Sequence, residues 1–251
     1  VAMGADGLLI MHGGGPTAVI NASLYGAVTE ALESPRVGRV LGAVGGVGGI
    51  TDGNLLDFSG VSASRLEMLP SSPSSAIGSS RKPLEDDDYA RIARALRGQG
   101  IRWLLCTGGN GTQDTCGKIW RACQAEGVGV DVVGIPKTMD NDIAVTDHAP
   151  GFASAARFVA ASVGALCCDV HGLPAHISVI ETLGRNAGWV AAASLLADEC
   201  GACGPDLIYL PERDFDEQSF LDDAARLVDE KRSGVIVVSE GLHKAGGEPV
   251  A

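Results

Sequence analysis

The sequence predicts an α/β fold made of two three-layer α/β/α domains with mainly parallel sheets. Short apolar runs alternate with amphipathic helical patterns along all 251 residues, which is the pattern of repeated βαβ units. Some runs, such as Val235–Val238, are apolar at every position, as expected of strands that helices cover on both faces. The 35 glycines cluster between these runs, where tight turns join strands to helices. Both domains are therefore expected to be Rossmann-like.

In the first half of the chain, four apolar runs are predicted as strands and are separated by helical patterns. The predicted strands are Gly7–Met11, Arg39–Val44, Ile101–Cys106 and Val130–Ile135. The predicted helices are Val19–Leu32, Tyr89–Arg97 and a segment that follows Gly111 and ends near Glu126. The segment Gly53–Lys82 breaks this pattern because it is rich in serine and turn residues. Two interpretations stay open for it, a flexible surface loop and a lid that faces a phosphate.

The second half repeats the alternation, which places a domain boundary near residue 150. The predicted strands are His176–Ile180, Leu207–Leu210 and Gly234–Ser239, and the predicted helices are Ala153–Leu166, Ala187–Ala197 and Gln218–Lys231. We therefore expect one domain over residues 1–150 and a second over residues 151–251.

Composition narrows the class of function. The formal net charge of −12 argues against a nucleic-acid partner or an anionic membrane, since both require basic surfaces. A phosphorylated small molecule stays possible, because a few local cations can dominate one cleft. The seven cysteines are odd in number and scattered through apolar segments, which indicates reduced thiols and a cytoplasmic protein. Cys200 and Cys203 form a single C-x-x-C motif. A structural role for these thiols is favoured over zinc binding or redox chemistry. No apolar stretch is expected to span a membrane.

Three glycine-rich or polar segments each follow a predicted strand. They are Gly13–Thr17, Gly108–Thr112 and Ile135–Asp142. In open α/β sheets, ligands bind beyond the carboxyl ends of the strands, so these segments are expected to gather at one edge. Glycine lets backbone N–H groups approach phosphate oxygens, and a following helix N-terminus adds partial positive charge. Arg81 and Lys137 add cations, and the sequence has neither the P-loop motif nor a G-x-G-x-x-G after its first strand.

Asp140 and Asp142 stand one residue apart, directly after a buried strand. A structural role as turn or capping residues is possible for either carboxylate taken alone. That interpretation is weaker for Lys137–Asp142, where a cation, a hydroxyl and two carboxylates crowd together.

The ordered set of motifs resembles the phosphofructokinase family. The matching segments are Gly-Gly-Pro-Thr-Ala-Val-Ile-Asn21, Gly-Ser-Ser-Arg81, Gly-Gly-Asn-Gly-Thr112, Pro-Lys-Thr-Met-Asp-Asn-Asp142, Thr-Asp-His148, Leu-Gly-Arg-Asn-Ala-Gly-Trp189 and Glu240-Gly-Leu. The resemblance extends over nearly the whole chain. It implies a phosphofructokinase-like fold and transfer of a phosphoryl group to the 1-hydroxyl of fructose 6-phosphate, with Mg²⁺ as cofactor and ATP or pyrophosphate as donor.

The resemblance also implies roles for individual residues. Asp140 is expected to be the general base that takes the proton of the sugar 1-hydroxyl. Thr138 is expected beside the transferred phosphoryl group, Arg185 is expected to neutralise its charge, and Lys137 is counted with these catalytic residues. The expected donor-binding residues are Gly15, Arg81, Gly109, Gly111 and Thr112. The expected substrate-binding residues are Thr138, Asp140, Asp142, Leu183, Gly184, Arg185 and Glu240.

The choice of phosphoryl donor stays open. Gly111 leaves room for the α-phosphate of ATP, where pyrophosphate users of the family tend to have Asp. Lys137 is typical of pyrophosphate users, and the overall appearance of Thr146–His148 and Arg185–Trp189 is closer to that branch. Asn110 stands where much of the family has an Asp near Mg²⁺, so the metal is expected to depend more on the donor's phosphates.

Other features qualify the resemblance. His176 stands where many members have an Arg that reaches a neighbouring subunit's site, and a structural role is favoured for this histidine. The family continues beyond the Glu240 region with further 6-phosphate ligands, so the second domain is expected to be incomplete at its C-terminus. A homodimer or homotetramer is expected. Two alternatives remain, a non-catalytic subunit that binds sugar phosphate and a kinase like NAD kinase.

Overall fold

The computed structural model describes residues 6–173, 176–199 and 203–250. The chain forms two compact units, the first ending at Thr138 and the second beginning at Met139. A domain boundary near residue 150 was predicted from the sequence, whereas the structure groups the segment 139–149 with the second unit. Within that segment the Asn141 side chain bonds the backbone of Asp147 and Ala149, which makes it one folded turn.

The described residues of the first unit form a five-stranded sheet in the order β3-β2-β1-β4-β5. Its strands are β1 (Gly7–His12), β2 (Arg39–Ala43), β3 (Leu55–Asp57), β4 (Ile101–Gly108) and β5 (Asp131–Pro136). The four predicted strands are confirmed and pair in parallel. The added strand, β3, pairs with β2 in antiparallel orientation and consists of three residues in the serine-rich region.

Helices cover both faces of this sheet. They are α1 (Ile20–Glu33), α2 (Val47–Asp52), α3 (Ala63–Leu66), α4 (Asp86–Gly98) and α5 (Asn110–Ala125). Leu9 and Leu104 join the core beneath α4 and α5, whereas Ile10 packs on the opposite face with Leu24 of α1. Because side chains alternate between the faces of a strand, β1 is apolar at successive positions, and the predicted three-layer arrangement is confirmed for this unit.

The serine-rich segment before α4 is anchored in the core. Ile77 is fully buried and packs with Ile10 and Phe58 in the core beneath α1. The Gly45 amide donates to the Ile77 carbonyl at 2.8 Å. Of the two interpretations left open by the sequence, a flexible surface loop is therefore wrong for the part around Ile77.

The second unit contains a three-stranded parallel sheet in the order β6-β8-β7 among its described residues. Its elements are α6 (Phe152–His171), β6 (His176–Thr182), α7 (Trp189–Ala192), α8 (Leu196–Glu199), β7 (Leu207–Tyr209), α9 (Glu217–Lys231) and β8 (Ser233–Ser239). A single helix over Ala187–Ala197 was predicted. The structure instead divides this stretch into α7 and α8, with a 3₁₀ turn at Ala193–Leu195 between them.

Helix α6 corrects the expectation that no segment could span a membrane. By length and composition alone, this 20-residue, mainly apolar helix would be sufficient. Its buried positions include Ala156, Ala160, Val163 and Cys167, which follow the spacing of one helix face. Val163 and Cys167 pack with Val235 of β8. The buried face of α6 therefore forms part of the core of this unit.

The described cysteines are free thiols. Cys106, Cys116, Cys123 and Cys167 are buried, as expected of thiols in apolar segments. Cys200 lies outside the described residues, so the structural role of the thiols of the C-x-x-C motif stays a prediction.

Candidate active site

The loop that follows β1 is bonded to its neighbours through the backbone. The Gly13 amide donates to the Thr107 carbonyl at the end of β4, at 2.9 Å. The Gly14 amide donates to the Ser80 carbonyl, also at 2.9 Å, and the Ser79 hydroxyl donates to the Gly14 carbonyl at 2.6 Å. These bonds bring the first predicted glycine loop against the segment that carries Arg81.

Lys137 connects the loops after three strands. It follows β5, and its amide donates to the Gly108 carbonyl of β4 at 3.1 Å. Its ammonium group donates to the carbonyl of Gly15, beyond the end of β1, at 2.6 Å. The residue is 4% exposed. Since a buried cation must be compensated by polar partners, this lysine fixes the spacing of the loops around it.

Thr112 occupies space that two glycines leave open. It lies in the first turn of α5 and is buried. A Cβ added to Gly13 or to Gly108 would overlap the Thr112 hydroxyl. Both glycines are thus required by close packing, and Thr112 contributes to the assembly of the loops as well as lining the cleft described next.

A cleft of about 310 Å³ opens at this carboxyl edge of the first sheet. It is lined by Gly14, Ser80, Arg81, Lys82, Gly109, Asn110, Gly111, Thr112 and Thr115. Helix α5 begins here, and within the described residues no side chain caps its N-terminus and no acidic residue lies in its first turn. The partial positive charge of the helix and the exposed side chains of Arg81 and Lys82 give this cleft the chemistry that attracts anions.

Most of the predicted donor-binding residues meet at this cleft. Arg81, Gly109, Gly111 and Thr112 line it directly. Gly15 lies next to Arg81, since a Cβ at Gly15 would come within 2.8 Å of a guanidinium nitrogen. The predicted convergence of the glycine loops is therefore present in the structure, and the assignment of a phosphoryl donor to it stays a prediction.

In the second unit, a tight turn presents the two predicted carboxylates. Asn141 stands between Asp140 and Asp142 with a φ of 56°, in the left-handed region that Asn tolerates better than most residues. Its side-chain carbonyl accepts from the Ala149 amide at 2.7 Å, and its side-chain amide donates to the Asp147 carbonyl at 3.2 Å. Asn141 is buried, whereas Asp140 and Asp142 are half-buried. The sequence analysis did not assign this role to Asn141.

The loops after β6 and β8 meet in the same unit. The Gly184 amide donates to the Glu240 carboxylate at 3.1 Å, and the Ser239 hydroxyl donates to the Gly184 carbonyl at 2.7 Å. Gly184 has a φ of 135°, which only glycine adopts readily. Two predicted substrate-binding residues are thus in contact, and the neighbouring side chains of Leu183 and Arg185 are exposed to solvent.

His12 is a further buried polar residue that the sequence analysis missed. It ends β1, is fully buried, and places Nδ1 2.7 Å from the Ser75 hydroxyl oxygen. Burial and the nearby charge of Lys137 lower the pKa of His12 to about 4. The signal in the sequence that could have identified His12 is its position directly after the apolar run Gly7–Met11.

The residues at the cleft can contribute only part of a magnesium site. Among the described residues, no three His, Cys, Asp or Glu side chains are grouped to hold an ion. Asn110 offers one neutral amide oxygen at the cleft. Mg²⁺ commonly keeps several waters and binds through one or two protein groups plus substrate phosphates. The donor set therefore fits a metal that arrives with a phosphate ligand.

Comparison with known proteins gives a consistent result. A sequence model of the family described as PFK: Phosphofructokinase matches residues 7–251. The pyrophosphate–fructose 6-phosphate 1-phosphotransferase of Rhodospirillum rubrum is 41% identical over 244 residues, which are 97% of this chain and 60% of that protein. The ATP-dependent 6-phosphofructokinase 3 of Bacteroides thetaiotaomicron is 30% identical over 251 residues, 96% of this chain and 70% of that protein.

Solved structures agree with the sequence comparison. The crystal structure of pyrophosphate-dependent phosphofructokinase from Nitrosospira multiformis matches with a TM-score of 0.88 and 32% identity. The match covers 98% of this chain and 62% of that one. The chain thus spans about 60% of the length of the Rhodospirillum and Nitrosospira proteins.

Substitutions at Asn141 will separate backbone strain from hydrogen bonding in the turn. Asn141→Ala removes both side-chain hydrogen bonds and puts a poorly suited residue at a φ of 56°, so we expect a loss of about 2–4 kcal/mol in the free energy of unfolding. Asn141→Gly removes the same bonds without the strain and should cost about 1 kcal/mol less. Urea unfolding of both variants measures the difference. Equal losses would show that the left-handed backbone of Asn141 carries no strain.

Proposed function

The chain belongs to the phosphofructokinase family, and we propose that it carries the catalytic machinery of a fructose 6-phosphate 1-phosphotransferase. In this reaction the 1-hydroxyl of fructose 6-phosphate receives a phosphoryl group and fructose 1,6-bisphosphate is formed. The observation that supports this most strongly is the anion cleft at the carboxyl edge of the first sheet, where three loops, two cations and the start of α5 meet.

The cleft has the features that a phosphoryl donor requires. Phosphoryl transfer depends on positioning and charge stabilisation more than on covalent chemistry of the protein. Arg81 and Lys82 offer positive charge, and the start of α5 offers backbone N–H groups. Lys137 and Thr112 hold the loops at fixed spacing. Asn110 is proposed to bind Mg²⁺ together with the donor's phosphates, and the bound ion supplies neutralisation of their negative charge.

The acceptor residues are proposed to act from the segment 138–142 and from the loops after β6 and β8. Asp140 takes the proton of the sugar hydroxyl as general base, and the Asn141 turn fixes the backbone that carries it. Thr138 positions the transferred phosphoryl group. Arg185 neutralises its developing charge. Gly184 and Glu240, together with Leu183 and Asp142, shape the pocket for the sugar phosphate.

Pyrophosphate is the donor that we favour, and ATP is the second candidate. The more similar relative is pyrophosphate-dependent by name, at 41% identity against 30% for the ATP-dependent one. Gly111 nevertheless leaves space, since a Cβ there meets nothing within 4 Å. Packing within the protein therefore does not require glycine at this position. A side chain introduced there would project into open space at the cleft, where the donor is proposed to bind.

Other expectations from the resemblance remain predictions. They are an assembly of two or four subunits, a cytoplasmic location and the absence of nucleic-acid or membrane partners. The family match over residues 7–251 favours the phosphotransferase over the alternative like NAD kinase. A non-catalytic regulatory subunit is the alternative that the following experiment tests.

Asp140→Asn should abolish most of the activity of the full-length protein. The amide cannot accept the hydroxyl proton, so we expect kcat to fall about 10²–10⁴-fold with fructose 6-phosphate, Mg²⁺ and pyrophosphate or ATP. Asp229→Asn, an exposed position on α9, is the matched control and should leave kcat unchanged. The proposal is contradicted if the parent protein turns over neither donor. Unchanged activity in Asp140→Asn would exclude Asp140 as the base.

Gly111→Asp should discriminate between the donors. A carboxylate at this position would repel the α-phosphate of ATP, so kcat/KM for ATP should fall at least about tenfold while turnover with pyrophosphate persists. Gly111→Ala adds the bulk of a methyl group without charge and separates steric from electrostatic effects. Because the position is open and lies in the first turn of α5, both variants should unfold at or above the parent's urea midpoint. Unaltered use of ATP by Gly111→Asp would exclude position 111 as a determinant of donor choice.

A further inference from the structure

Buried polar side chains hold the segment that carries Ser80 and Arg81 to the cleft. Asn21 of α1 is 1% exposed. Its side-chain amide donates to the Ser72 carbonyl at 3.1 Å, and its side-chain carbonyl accepts from the Ala76 amide at 2.9 Å. This residue holds the first part of the serine-rich segment. The part nearer to Arg81 depends on a different side chain.

His12 holds that second part through Ser75. The Ser75 hydroxyl lies 2.8 Å from the Gly78 carbonyl and 2.7 Å from Nδ1 of His12. A serine hydroxyl has one proton, which must be donated to the carbonyl because a carbonyl oxygen only accepts. Ser75 therefore accepts from His12, and the imidazole carries its proton on Nδ1. Among the described residues Nε2 has no hydrogen-bond partner of either kind, so the tautomer is assigned from the Ser75 contact alone.

The bond from Ser75 fixes a turn directly before the cleft. The Gly78 amide returns to the Ser75 carbonyl at 3.1 Å, and Gly78 has a φ of 72°. The next residues, Ser79 and Ser80, make the two hydrogen bonds to Gly14 that join the segment to the loop after β1. Arg81 follows at once and lines the cleft. A displacement of this turn would therefore move the guanidinium group.

We propose that His12 is a positioning residue of the phosphate site, whose neutral Nδ1–H tautomer holds Ser75 and thereby fixes the turn that places Ser80 and Arg81 at the cleft. The ring is fully buried and is not among the residues that line the cleft, so it acts through Ser75 without contact to a ligand. The location near the Lys137 ammonium favours a neutral side chain, because burial and that charge both lower the pKa of His12. The link to phosphate binding rests on the proposed function.

Substitution of His12 and Ser75 in the full-length protein tests this proposal. His12→Asn retains a side-chain N–H close to the position of Nδ1, whereas His12→Leu has a similar size and no donor. Binding of inorganic pyrophosphate with Mg²⁺, followed by calorimetry, should weaken about tenfold in His12→Leu and in Ser75→Ala. In His12→Asn it should stay within about threefold of the parent. The KM for fructose 6-phosphate should not change, whereas a general distortion of the active site would raise it. Loss of folded protein would instead lower the calorimetric stoichiometry and leave the dissociation constant for pyrophosphate unchanged.

Hydrogen exchange separates failure of this inference from failure of the proposed function. In the ligand-free protein, amides of the segment 72–81 should exchange at least about tenfold faster in Ser75→Ala than in the parent. The control Ser64→Ala, at an exposed serine of α3, should exchange at the parent's rate. Unchanged exchange in both Ser75→Ala and His12→Leu would overturn the positioning role. The same conclusion would follow if His12→Leu bound pyrophosphate as tightly as a parent that binds it. If the parent binds no pyrophosphate but the segment loosens as expected, the positioning role stands and only pyrophosphate as the proposed donor fails.

Discussion

The buried ammonium of Lys137 is the interaction on which the first unit's site depends. It joins the loop after β5 to the Gly15 carbonyl, which lies 122 positions earlier in the sequence. The amide of the same residue is bonded to Gly108, so one residue connects the ends of β1, β4 and β5. A charge at 4% exposure is tolerated only with polar partners at close distance. The sheet supplies them, because its four parallel strands all end at one edge.

Around this lysine, close packing of glycines and buried polar groups sets the shape of the cleft. Thr112 fits where Gly13 and Gly108 lack a Cβ, and this contact brings the start of α5 against the loop after β1. On the opposite side, Asn21 and His12 hold the serine-rich segment. The cationic side chains of Arg81 and Lys82 are exposed at the surface of the cleft, where they can contact an anion. The buried polar groups hold the loops around the cleft in place.

The sequence predicted the regular part of this architecture from periodicity. The apolar runs of β1, β4, β5, β6 and β8 were predicted within about two residues, because these runs are short and are bounded by glycine and other turn residues. β3 was missed, since three residues provide no period. The split of α7 from α8 was also missed, because a three-residue 3₁₀ turn is too short to disturb the apolar helical pattern around it. Glycine clusters predicted which loops converge. They could not show that His12 or Asn141 would be buried with specific partners, since such contacts depend on the tertiary structure.

The cleft lined by Arg81 and the start of α5 is proposed to bind the phosphates of the donor. The decisive experiment is a crystal structure of the full-length protein grown with Mg²⁺ and pyrophosphate. We expect electron density for pyrophosphate within hydrogen-bonding distance of the Arg81 guanidinium and of backbone amides in Gly109–Thr112. Pyrophosphate bound elsewhere, with this cleft filled only by solvent, would contradict it.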